Sequence, residues 1–209
     1  MSEVFKFAYI TFCFGIALVS YFFCKNKRDW FWLTAALGFT LAADFFLILH
    51  DWHLPGVAVF CFAHSAYIAR ARIQGDGSFD TPAILRRVGR TVRLPMTLLT
   101  ALAFTWLDAI FVVTALYAAL FITNIYVSAR YLRHNRKLAI TGLLLFAACD
   151  ICVLIFNLPV YMGAPDWLRG IFPLIFVFYL PAQGLLAVSA VDFRRKKSYT
   201  LCNDELPSE

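Results

Sequence analysis

Two carboxylates stand inside runs long enough to cross a bilayer. Asp44 interrupts the apolar stretch at residues 39–49, and Asp150 repeats the arrangement within residues 144–156. On insertion-based scales a charge at the centre of a membrane helix costs about 2.5–3.5 kcal/mol, so each aspartate is a functional-site candidate. Two carboxyl groups brought close together in a poorly hydrated site do not both ionise easily, so one keeps its proton while the other acts as a base. That combination suits acid-labile ethers, glycosides and acetals, whose cleavage needs a proton delivered and a water activated.

Other polar residues recur at helical spacing around these two. His64 and Tyr67 share one face, as do Tyr179 and Gln183. Asp51 lies seven residues after Asp44, and Asn157 seven after Asp150. Tyr117, Asn124 and Ser128 form a further stripe. Polar stripes on four or five helices are the pattern expected around a hydrated interior cavity. The plainer reading of Asn124 and Ser128 is interhelical hydrogen bonding, and His64 divides between that role and function. No Lys or Arg is expected deep in any helix, so no buried ion pair is available to neutralise either aspartate.

The elements that must position these groups follow from composition. The chain has 209 residues, 61% hydrophobic and only 15% charged. It is too apolar for a soluble domain of this length and reads as an all-α, polytopic transmembrane bundle. Seven segments are expected, at about 4–24, 30–50, 54–72, 91–106, 108–130, 137–157 and 170–191, with a short basic surface helix at 83–90. Of the 19 basic residues, all but Lys6 and Arg169 fall within 25–29, 70–93, 130–137 and 192–197, around and beyond the ends of the first, third, fifth and seventh segments. The bias places those loops in the cytoplasm, the N-terminus outside and the C-terminus inside. Residues 1–197 form one transmembrane domain, and 198–209 a polar, disordered tail. The expected setting is a multi-pass protein of a plasma membrane or bacterial inner membrane. Helices two and six then run in the same direction, which puts Asp44 and Asp150 at similar depth.

The net charge of +6 sits in orienting loops, so it is no nucleic-acid footprint. The six cysteines form no disulfide framework, and Cys149 with Cys152 is a C-x-x-C without a second ligand pair. The first segment lacks a small-residue cleavage site for a signal peptide. A proton-coupled transporter could use the same carboxylates. A retinal photoreceptor would need a lysine in the last segment, which has none, and a zinc hydrolase would need more than the four histidines, which lack His-x-x-x-His spacing.

Four pieces of the chain resemble the YhhN-like lysoplasmalogenase family of membrane hydrolases. They are Leu41-Ala-Ala-Asp-Phe-Phe-Leu-Ile-Leu49, Phe60-Cys-Phe-Ala-His-Ser-Ala-Tyr-Ile68, Leu143-Leu-Leu-Phe-Ala-Ala-Cys-Asp150 and Tyr179-Leu-Pro-Ala-Gln183. Ala43 stands where the family tends to have Gly, Cys149 where it has Ser, and one N-terminal helix of the usual eight is lacking. The resemblance implies hydrolysis of the vinyl ether bond of a lysoplasmalogen, a lysophospholipid taken from the bilayer, without a cofactor or a metal. It makes Asp44 and Asp150 the catalytic pair and has His64, Tyr67, Tyr179 and Gln183 orient water and the glycerol end. Asn124 and Asn157 complete the candidate substrate contacts.

Overall fold

The computed structural model describes residues 3–24, 26–75 and 109–191. Every regular element among them is helical: α1 (Glu3–Val19), α2 (Lys27–Asp44), α3 (His53–Gln74), α4 (Ala109–Tyr131), α5 (Arg136–Met162) and α6 (Phe172–Val188). Among the described residues, six helices are long and apolar enough to cross a membrane, counting the short turns that extend α1, α2 and α6. The expected segment at 91–106, the basic helix at 83–90 and the tail at 198–209 lie outside the described residues. A seventh helix and the orientation of the termini therefore stay expectations.

Most boundaries follow local chemistry. Asn26 caps α2 by accepting hydrogen bonds from the Arg28 and Asp29 backbone N–H groups at 3.0 and 3.4 Å. The helix ends in a way the apolar pattern did not show. Over Phe45–Leu49 the winding opens from α to π, beginning at the residue after Asp44. Asp51 then adopts a left-handed conformation (φ 56°), and the Trp52 N–H reaches back to the Phe46 carbonyl at 2.9 Å. Phe46 and Trp52 stack across this closure, the apolar contact typical of a Schellman-type helix end. α5 runs five residues past its expected end at 157, through Pro159. A proline so near the C-terminus removes one hydrogen bond, and the left-handed Gly163 (φ 63°) closes the helix.

The helices pack in chain order around a closed ring, α1 against α2 and onward to α6, which returns to α1. The closest approaches use glycine. A Cβ on Gly56 would lie 2.5 Å from Leu47 Cγ, so its absence lets α3 pack directly against the π turn. On α5, Gly142 faces Ala182 O and Leu186, where a Cβ would come within 3.0–3.2 Å. Small residues at such crossings let membrane helices gain dispersion energy without a hydrophobic driving force. Large side chains such as Phe12, Phe22, Leu154 and Val177 remain exposed on the outside, as a lipid-facing surface requires.

No basic side chain lies midway along a described helix, as expected, but two near helix ends turn into the bundle. Lys6 and Arg70 are both buried, 2% and 1% exposed. The Lys6 ammonium sits over the Phe176 and Phe172 rings at 3.7 and 4.6 Å, an arrangement in which aromatic faces replace lost hydration. Arg70 grips Asp29 with Nε–Oδ1 at 2.7 Å and Nη2–Oδ2 at 3.1 Å, and donates to the Ser189 hydroxyl and carbonyl at 2.7 and 3.1 Å. Gln74 donates to the same Asp29 oxygen and accepts from the Arg133 and His134 N–H groups at 2.8 and 2.9 Å. Asn135 donates to the Ser189 and Val191 carbonyls. This network ties α2, α3, α6 and the α4–α5 turn together at one end of the bundle.

Arg70→Leu should therefore leave Asp29 as an unpaired buried charge, at a cost of about 3–5 kcal/mol. Thermal unfolding in detergent should show a large fall in midpoint for Arg70→Leu, and partial recovery when Asp29→Asn is added. A midpoint equal to wild type in the single variant would deny the network its structural role.

Candidate functional site

The ion pair fixes the depth from which the site can be measured. Asp29 and Asn135 both lie at the Ser189 level. Asp44 follows Asp29 by fifteen residues and Asp150 follows Asn135 by the same number. At the helical rise, both carboxylates stand about 22 Å from the network, on co-directed helices. Tyr179 lies ten residues before Ser189, about 15 Å from the same level. Side chains on a helix lean toward its N-terminus, so Tyr179 on α6 leans away from the network and its length covers the remaining gap.

It meets Asp44 there. The Tyr179 hydroxyl donates a short hydrogen bond to Asp44 Oδ2. On the other side of the bundle the Tyr117 hydroxyl of α4 donates to Asp150 Oδ2 at 2.5 Å. The two carboxyl groups are not hydrogen-bonded to each other, and each takes its own tyrosine. Cys149, next to Asp150, is within electrostatic range of both carboxylates, and the two tyrosine hydroxyls are within range of each other. Asp44 is sealed at 4% exposure, whereas Asp150 is only partly buried.

An aromatic cluster joins the two pairs. The Phe146 ring, one turn before Asp150, contacts Tyr179, Phe121 and Phe60 with centroids 5.5, 5.5 and 5.8 Å away. His64 stacks on Phe121 at 4.4 Å and lies 5.1 Å from the Tyr117 ring. Its Nδ1 accepts from Asn124 Nδ2 at 3.1 Å, while Asn124 Oδ1 accepts from the Ser128 hydroxyl at 3.0 Å. With Nδ1 as acceptor, the proton of the neutral imidazole is on Nε2.

Several polar atoms here have no partner among the described residues: His64 Nε2, the Tyr67 hydroxyl, both amide atoms of Gln183 and the Thr34 hydroxyl. Each unsatisfied buried group costs about 1–3 kcal/mol, so five together rival the net stability of a domain. Groups in that position need water or a polar ligand.

The geometry thus brings Asp44, Asp150, Tyr179, His64 and Asn124 around one aromatic cluster, with Tyr67 and Gln183 on the side of the ion pair. Asn157 is turned away from this arrangement: its amide donates to Val153 O within α5 at 2.8 Å. Sequence reasoning had Tyr117 only as part of a stripe, and its spacing to Asn124 was the one hint of a site role. The π turn beginning after Asp44 had no sequence signal, although such turns recur at functional sites.

The YhhN family model matches residues 2–190 of the 209-residue chain. The chain belongs to the YhhN family. No curated protein and no solved structure matches it. The YhhN match takes in the six described helices and both Asp–Tyr pairs, and with those six apolar helices it makes the chain a multi-pass membrane protein.

Replacing Tyr179 or Tyr117 with Phe removes the one protein donor seen on each carboxyl group. Each variant should lose about 1–3 kcal/mol of stability, as a buried acceptor is left without its partner. Infrared spectra of wild type and variants should show the carboxyl bands of Asp44 and Asp150 respond separately, Tyr179→Phe moving one and Tyr117→Phe the other. A single band moved alike by both changes would contradict two separate pairs.

Proposed function

We propose that this protein is a lysoplasmalogenase-type ether hydrolase. The observation that carries the reading is the pair of tyrosine-held carboxylates at equal depth on co-directed helices, inside a chain of the YhhN family. The substrate is a lysoplasmalogen entering from the bilayer, and the products are a fatty aldehyde and a glycerophospho-alcohol.

The reaction needs one proton and one water. A carboxylic acid protonates the β-carbon of the vinyl ether, and the double bond's electrons leave an oxocarbenium ion. The second carboxylate stabilises that cation and takes a proton from the water that adds to it. The resulting hemiacetal collapses as the second carboxyl group gives its water-derived proton to the departing glycerol oxygen and the first carboxylate takes the hydroxyl proton. Aldehyde and alcohol leave, the proton first delivered stays on the α-carbon of the aldehyde, and both carboxyl groups are restored. Asp44 and Asp150 supply the two carboxyl groups, with Tyr179 and Tyr117 fixing their orientation. His64 and Gln183 have polar atoms free to orient the water, and Tyr67 extends that set. Asn124 acts through His64, which it holds by Nδ1. Because α5 carries both Asp150 and lipid-facing residues such as Ile151 and Leu154, a lipid tail has an apolar surface beside the more open carboxylate.

Purified protein should release fatty aldehyde from a lysoplasmalogen, and mass spectrometry of a lysophospholipid panel should identify the accepted head groups. Asp44→Asn and Asp150→Asn should each lower release by about 10²-fold or more while the protein stays folded, the loss expected for a general acid or base. Wild-type rates in either variant would remove the carboxylate pair from the reaction. Substrate-dependent proton flux in liposomes without product would favour a proton-coupled transporter instead.

A further inference from the structure

The partnerless polar atoms occupy a distinct layer of the bundle. Arg70 holds Asp29 and Ser189 at one level, so α2, α3 and α6 share an origin there. Counting along each helix from that origin, Tyr67 is three residues away, Thr34 five, and His64 and Gln183 six. These steps correspond to about 4.5, 7.5, 9 and 9 Å. The four side chains therefore fall within about 5 Å of depth, between the ion pair and the carboxylates at about 22 Å. Gln183 and His64 are 0% exposed and Tyr67 3%.

Their chemistry is mixed. His64 Nε2, the Tyr67 hydroxyl and Gln183 Nε2 offer protons, and Gln183 Oε1 and the Thr34 hydroxyl accept them. A small molecule that both donates and accepts meets all of them, and buried water typically makes about three such bonds. On the far side of the ion pair, a cleft of about 250 Å³ is lined by Asn26, Asp29, Gln74, Arg133 and His134. Asp29 thus belongs both to the cleft and to the pair that closes the layer above it.

We propose that Thr34, His64, Tyr67 and Gln183 enclose an internal water cluster that is fed from this cleft past the Arg70–Asp29 pair. Its use as the source of the attacking water rests on the hydrolase reading, but its existence does not. The bilayer supplies a lipid substrate from the side and cannot supply water. A separate aqueous route from the end of the bundle answers that need, and the basic loops mark that end as solvent-facing.

Synchrotron hydroxyl-radical footprinting of the full chain in detergent, without substrate, tests the cluster directly. Radicals formed from bound water modify the side chains beside it. Tyr67 should be modified, after correction for intrinsic reactivity, roughly threefold or more faster than Phe60, although Phe60 is the more exposed residue. Gln183→Leu should bring the Tyr67 rate down toward that of Phe60, and Thr34→Val serves where Gln183→Leu does not fold. A wild-type Tyr67 rate no higher than that of Phe60, or a Tyr67 rate unmoved in a folded variant, would overturn the cluster. Measured alongside, aldehyde release with a dry Tyr67 would leave the hydrolase reading standing and remove the water cluster. A hydrated Tyr67 without aldehyde release would do the reverse.

Discussion

The Arg70 guanidinium, held between Asp29 and Ser189, is the contact on which the positions of the other polar groups depend. Apolar side chains in a membrane bundle can slide along one another at little cost, because lipid is as good a neighbour as leucine. A bidentate charge pair cannot slide. By locking α2, α3 and α6 at one level, and through Gln74 and Asn135 the α4–α5 turn as well, it determines which residues face each other far along each helix. Asp44 meets Tyr179, and Asp150 shares their depth, because both aspartates are fifteen residues from that lock. A buried ion pair is weak evidence of stability in itself, and fixing register is its better-attested use.

How much of this was legible in the sequence varies with the kind of signal. Asp44 and Asp150 stood out because a carboxylate in an apolar run has few explanations. Their equal depth followed from charge bias and helical rise, both additive along a chain. The tyrosine partners were harder to read. Tyr179 and Tyr117 are ordinary residues for a membrane helix, and nothing local says which carboxylate each will reach. The role of Arg70 was missed for a related reason: at the end of a helix, beside a polar loop, it looked like one more orienting charge. Only packing distinguishes a basic residue facing headgroups from one turned inward to a partner forty-one residues earlier. The π turn is more opaque still, since Phe45–Leu49 reads as ordinary apolar helix.

The π turn has a structural consequence for the site. Widening the helix after Asp44 rotates the following residues relative to a regular α-helix. Leu47 is brought against the bare face of Gly56, so α3 packs against the widened turn itself. The closure at Asp51 and Trp52 then ends the helix, with the Trp52 N–H returning to the Phe46 carbonyl. Asp44 therefore sits at the last regular turn of α2 with the widened turn and its closure directly beyond it.

The pairing of each aspartate with its own tyrosine alters the expected chemistry. A dyad sharing one proton obtains an acid and a base from mutual repulsion, and neither group can then be assigned a role without the other. In this bundle the difference between the two carboxyls comes from their surroundings. Asp44 is buried with the Tyr179 hydroxyl on its carboxyl group, while Asp150, held by Tyr117, is only partly buried on α5. Unequal burial is the means by which one residue type performs two tasks in a single site. On the proposed hydrolase reading, the same difference would separate the two supplies the reaction needs. A lipid tail would approach along the apolar flank of α5, beside the partly buried Asp150, and water through the proposed polar layer of α2, α3 and α6.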